Sequence, residues 1–115
     1  MEFTEETSGN VRVFHLSGKI MGGPETEVMC NHFKELISTG TQSLVMDFQD
    51  VQWINSTGIG IIISCLTTLR NRGGDVHFAN VHGSTQRYLE ITKLDKIVKM
   101  FSSIDEAVKS FTDFE

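Results

Sequence analysis

Apolar positions along the chain switch repeatedly between a spacing of two and a spacing near four, which is the alternation of a mixed α/β domain. Along Val11 to Ser17, Phe14 and Leu16 alternate with Val13 and His15, predicting a strand with one buried face. A preceding strand over Phe3 to Thr7 is expected to pair with it antiparallel through Ser8-Gly9-Asn10, because Gly and Asn both accept the positive φ of a tight hairpin turn. Gly22-Gly23-Pro24 then breaks the pattern, and Pro24, which has no N–H to leave unpaired, suits the first turn of a helix. In that helix Met29, Phe33, Leu36 and Ile37 form one apolar stripe, and Gly40 is placed to stop it.

Leu44, Val45 and Met46 are consecutive, so Ser43 to Phe48 is expected to be a central strand covered on both faces. From Thr57 to Arg72, Ile59, Ile62, Ile63, Leu66 and Leu69 recur at helical spacing, with Arg70 and Arg72 at the dipole's negative end and Gly73-Gly74 as the stop. Asp75 to Ala79 is the next strand. Ser84 is placed to cap a third helix carrying Leu89 and Ile91, and Ile97 to Phe101 gives a last strand. Ser103 and Glu106 form a capping box for a final helix with Ala107, Val108 and Phe111. The expected fold is α/β: one domain over residues 1–115, with a small mixed, mostly parallel sheet of about four or five strands flanked by about four helices. Phe111 and Phe114, like Met100 and Phe101, are expected to cover the sheet, and Trp53 to anchor the core or a strand end.

With 115 residues the chain buries roughly two-thirds of its unfolded surface and needs no disulfide or metal to do so. The formal net charge of −5 disfavours a phosphate backbone or an anionic lipid surface, so neither nucleic acid nor membrane insertion is expected. The apolar run Ile59 to Leu66 is interrupted by Gly60 and Ser64 and falls far short of the roughly 20 residues of a membrane span. The opening Met1-Glu2-Phe3-Thr4-Glu5-Glu6 is acidic where a signal peptide is basic, so a cytoplasmic location is expected. There Cys30 and Cys65 are expected as free thiols, Cys65 in the core and Cys30 at the surface or partly buried. His15, His32, His77 and His82 show no metal-ligand spacing, with His15 and His32 at solvent-facing positions. No metal, no cofactor and no enzymatic activity are expected.

The informative segment is Asp50-Val51-Gln52-Trp53-Ile54-Asn55-Ser56-Thr57-Gly58-Ile59-Gly60, joining a central strand to the longest amphipathic helix. Three polar side chains stand at the helix entry, with two glycines leaving its first turn sparsely covered. A helix N-terminus carries about half a positive elementary charge and unpaired N–H groups, so a covalent phosphate would suit it. Equally, Ser56 could be only an N-cap and the glycines only permit close packing of helix on sheet. The segment is not a P-loop, since no Gly-Lys-Ser/Thr follows.

This segment resembles the signature of the bacterial anti-sigma factor antagonists, in the STAS domain superfamily. Leu16-Ser17-Gly18-Lys19-Ile20, Arg72-Gly73-Gly74 and Tyr88-Leu89-Glu90-Ile91-Thr92-Lys93-Leu94 extend the resemblance over most of the chain. It implies a small mixed sheet flanked by helices, and a protein that docks on an anti-sigma factor with serine kinase activity to release a sigma factor. That kinase would switch it off by phosphorylating Ser56, with Thr57 a secondary acceptor and a serine phosphatase as a further partner. The implied docking residues are Met21, Gly22, Gly23, Asn55, Ser56, Thr57, Gly58 and Ile59. Two positions depart from the pattern: Asn55 and Met21 stand where the family usually carries aspartate, removing both carboxylates from beside the acceptor. They also bring in the alternative of an unphosphorylated STAS interaction module, a signalling scaffold or a transporter-associated subunit.

Overall fold

The computed structural model describes residues 1–112; Phe114, expected on the sheet, lies outside the described residues. Five strands form one sheet in sequential order: β1 (Glu2–Ser8), β2 (Val11–Ile20), β3 (Ser43–Ile54), β4 (Asp75–Ala79) and β5 (Met100–Phe101). β1 and β2 are antiparallel and every later neighbour pair is parallel. Ser8 faces Val11 across a two-residue turn in which Gly9 takes a φ of +62° and Asn10 does not go positive, so the left-handed conformation is needed only at the first central position.

The helices are α1 (Pro24–Ser38), α2 (Ser56–Asn71), α3 (Gly83–Ile91) and α4 (Ile104–Thr112). Right-handed crossovers that always step the same way across a sheet place their helices on one side. Accordingly Phe33 and Leu36 of α1, Ile62 and Leu66 of α2 and Leu89 of α3 share one core with Phe14, Leu16, Met46 and Phe78. α4 follows the last strand and closes the opposite face, where Ala107 packs with Val11, Val13, Val45 and Ala79.

That second core corrects the expectation for β2. Val13 and Phe14 are adjacent, on opposite faces, and both 0% exposed, because a helix some ninety residues later in the chain covers the face that local alternation assigned to solvent. β3 also runs past Phe48 to Ile54. Its outer half, exposed at Gln49, Asp50, Gln52 and Trp53 but buried at Val51 and Ile54, pairs with β2 through two register shifts. β5 is shorter than expected, since Leu94–Lys96 form a 3₁₀ turn entered through Lys93 at φ +65°.

Two caps differ from expectation. α3 begins at Gly83 behind His82, so Ser84 lies inside the helix and no side chain caps it. At α4 the Ser103 hydroxyl accepts the Glu106 N–H at 3.1 Å as expected, but the Glu106 carboxylate takes the Ser102 hydroxyl. Phe101 and Phe111 pack on the second core and Met100 on the first.

Candidate functional site

β2 and β3 end together, with Ile20 opposite Ile54, and the chain leaves both strands at one corner of the sheet. There the Asn55 N–H donates to the Ile20 carbonyl at 3.1 Å. The Asn55 side chain then accepts the Gly58 N–H at 2.8 Å, so Asn55 is the N-cap of α2 and Ser56 its first residue; Ser56 is not the cap. The amide therefore does the capping work an aspartate would do, without its charge. α2 has no acidic residue in its first turn, which leaves its positive dipole end uncompensated beside two exposed hydroxyls, Ser56 and Thr57.

Glycine is required twice in this corner. A Cβ on Gly22, whose φ is +84°, would stand 2.5 Å from Thr57 Cγ2, so the Met21–Gly23 loop lies directly on the first turn of α2. A Cβ on Gly58 would stand 2.4 Å from the Ile20 carbonyl oxygen, so α2 sits with its backbone against β2. Met21, in the loop on α2, is 52% exposed, and Trp53, next to last in β3, is 41% exposed.

Of the residues expected to meet a partner, Met21, Ser56 and Thr57 are exposed and Gly22, Gly23 and Asn55 half-buried. Gly58 and Ile59 are a correction: both are buried, Gly58 against β2 and Ile59 in the core, where no partner reaches them. Of the two placements expected for Trp53, core or strand end, it takes the strand end, next to last in β3 opposite Lys19, and is 41% exposed. Its exposure follows from the outward register of β3, which apolar periodicity does not reveal. Sequence reading also missed a groove of about 510 Å³ between α1 and α2, with Ser56 and Thr57 at one end and Asn31, Lys34, Ser64 and Thr68 along it.

The histidines face other side chains. His15 is half-buried, bonding Asp47 at 2.7 Å through Nδ1 and Glu6 at 2.8 Å through Nε2, and its pKa rises because those two bonds outweigh burial. Burial pulls Asp47 upward, but bonds from Asn80, His15 and the Gln49 N–H outweigh that and hold it below the ordinary carboxyl value. His32 bonds Glu5 at 2.6 Å. The His15 and His32 side chains stay 33% and 32% exposed, so both keep the solvent-facing placement expected of them while bonding carboxylates of neighbouring strands.

Asp75, His77 and Ser110 come together in the order of a hydrolytic triad, yet the geometry disarms it. The Ser110 hydroxyl is 2.7 Å from His77 Nδ1 and donates its own proton to the Ala107 carbonyl, while Phe111 stacks on the imidazole at 3.8 Å between ring centres. Burial raises Asp75, but His77, Arg70 and the Val76 N–H bring it down to about 2. This cluster fastens α4 to β4. No helix among the described residues is long and apolar enough to cross a membrane.

The STAS domain family model matches residues 2–107. The TM1081 homolog of Thermotoga neapolitana, whose name assigns it to the anti-sigma factor antagonists, is 31% identical over 77 residues, 67% of this chain and 68% of its own. The crystal structure of TM1081 from Thermotoga maritima superposes with a TM-score of 0.82 at 23% identity, over 94% of this chain and 92% of that one. The anti-sigma factor antagonist SpoIIAA in its unphosphorylated form gives a TM-score of 0.74 at 15% identity, over 99% and 100% of the two chains. The phosphorylated form of the same Bacillus protein gives 0.72 at 16% identity, over 96% and 99%. With its sequential five-stranded sheet, α4 on the far face and a serine opening α2, the chain belongs to the STAS domain family, among the anti-sigma factor antagonists.

Proposed function

We propose that this chain releases a sigma factor by docking on the anti-sigma factor that holds it, and that phosphorylation of Ser56 switches the docking off. The observation that carries the reading is the exposed Ser56 hydroxyl at the first position of α2, beside the Met21–Gly23 loop that lies on the same turn. The docking face comprises Met21, Gly22, Gly23, Trp53, Asn55, Ser56 and Thr57. A serine kinase, the anti-sigma factor itself, transfers the γ-phosphoryl of ATP to Ser56 Oγ and ADP leaves. Asn55 has no carboxylate to take the hydroxyl proton, so the base belongs to the kinase.

The added phosphate brings about −1.5 to −2 charges and three acceptor oxygens. Exposed at a helix N-terminus, a negative charge is stabilised by roughly 0.3 to 1 kcal/mol, so the fold tolerates the modification. At the interface the same group is bulky, costly to desolvate and unpaired. A hundredfold loss of affinity needs only about 2.7 kcal/mol. The test is incubation with the cognate kinase and ATP, followed by peptide mapping: phosphate on Ser56, or secondarily on Thr57, supports the switch, and phosphate on neither refutes it. In parallel, Ser56→Asp is expected to weaken anti-sigma binding and Ser56→Ala to preserve it.

The uncharged Asn55 cap favours a second reading, in which the same face holds a fixed partner and is never phosphorylated. A serine phosphatase would be a partner in the first reading only. Absence of any phosphoform in cells, with the docking-face variants still losing a partner, would select the second.

A further inference from the structure

α1 and α2 lie side by side on the sheet, and the seam between them carries Cys30 from α1 and Cys65 from α2. Each is only 5% exposed, and both line the open groove. Below the groove they pack with Met29, Phe33 and Ile62. Both cysteines thus share one groove and one apolar pocket, and Lys34, one turn after Cys30, lines the same groove. Lys34 neighbours Cys30 along α1 and comes beside Cys65 only when the two helices pair.

The members of the pair are unequal. The neighbouring Cys65 and burial push the Cys30 thiol up. Cys65, with Cys30 and Lys34 nearby, is shifted toward the thiolate despite its burial. A nucleophilic sulfur beside a protonated thiol is the arrangement of an attacking and a resolving cysteine.

We propose that Cys30 and Cys65 are a redox modification site, closing a reversible disulfide across the α1–α2 seam when a hydroperoxide enters the groove. The Cys65 thiolate attacks one oxygen of hydrogen peroxide; the O–O bond breaks and the departing hydroxide takes a proton to become water, leaving a sulfenic acid on Cys65. The Cys30 sulfur then attacks the Cys65 sulfur. The S–O bond breaks, and the leaving hydroxide carries off the Cys30 proton as a second water. Peroxide is reduced, the two thiols are oxidised, and a small-molecule dithiol reverses the step by becoming a disulfide itself. Nothing in this chemistry involves Ser56, so it stands or falls apart from the phosphorylation reading.

The test uses the folded, reduced full chain treated with one equivalent of hydrogen peroxide. The expected intact mass is lower by two hydrogens and is restored by dithiothreitol, and non-reducing tryptic digestion yields residues 20–34 joined to residues 35–70. In Cys30→Ser, dimedone is expected to trap a sulfenic acid on Cys65, and in Lys34→Gln closure is expected to slow several-fold. The mass measurement on the unaltered chain requires no variant to fold. Thiols that both stay alkylatable while a free glutathione control is consumed, or products that are only interchain disulfides or sulfinic acids, would overturn the proposal.

Discussion

Gly58 and Gly60 stand two residues apart in α2, and alanine at each is expected to move stability in opposite directions. Helix propensity alone favours alanine at both by about 1 kcal/mol. At Gly60 nothing lies within 4 Å of the added Cβ and the site is exposed, so Gly60→Ala should gain most of that amount. At Gly58 the added Cβ meets the Ile20 carbonyl oxygen at 2.4 Å and its carbon at 2.8 Å. The helix must retreat by about 0.6 Å to restore a 3.0 Å separation from that oxygen, against a strand end that cannot yield because Ile20 accepts the Asn55 N–H. Retreat also stretches the bond from the Gly58 N–H to Asn55. Overpacking of this kind costs about 1 to 3 kcal/mol, which offsets or exceeds the propensity gain of about 1 kcal/mol, so Gly58→Ala should lose up to roughly 2 kcal/mol net. Urea unfolding reads both, as midpoint shifts of opposite sign at unchanged slope. A Gly58→Ala protein as stable as Gly60→Ala would refute the close approach of α2 to β2, and with it the geometry assigned to the serine corner.

Asn55→Ala, which leaves the Gly58 N–H without its acceptor, is expected to cost about 1 kcal/mol, whereas Asn55→Asp should keep the cap and cost nothing; thermal unfolding distinguishes them. His15 has a raised pKa in the folded protein, so its contribution is present below the unfolded value of 6.5 and is lost as pH rises through the folded one. Denaturant titrations either side of neutrality should show that decline in the natural chain and not in His15→Gln. Asp75 is lowered from 3.8 to about 2, so its contribution is present above 3.8 and lost as pH falls toward 2. Its side chain is 36% exposed, which screens the effect to roughly 1 kcal/mol, and Asp75→Asn should flatten the acid limb of the stability curve by that amount. Trp53→Ala should weaken binding to an anti-sigma factor by about 2 kcal/mol in calorimetry on protein that a parallel melt shows to be folded.

What local pattern encodes, the sequence displayed. The stripe of α1, the hairpin at Gly9, the apolar face of α2 and the β4 run each depend on neighbours within one or two turns, and each occurs where the pattern placed it. The second burial face of β2 depends on α4, the outer half of β3 on pairing with β2, and the bonding of His15 on Asp47, thirty-two residues away. Such partners leave no periodic mark. At the site, the family signature singled out Ser56 and Thr57, and both hydroxyls stand exposed at the opening of α2. It did not separate the glycine and isoleucine that pack the corner, Gly58 and Ile59, from the residues that face outward, nor did it bring forward Trp53.

The two faces of the sheet close at different moments of synthesis. Every strand pairs with one made before it, and α1, α2 and α3 cover their side as they emerge. The other side, with Val11, Val13 and Val45, gains its cover only when α4 has been made. A chain interrupted before Ile104 therefore carries a finished sheet with a bare valine strip. Such a fragment would be sticky on the ribosome or after proteolysis, and a short stretch of nine residues decides whether the product stays dispersed or clumps.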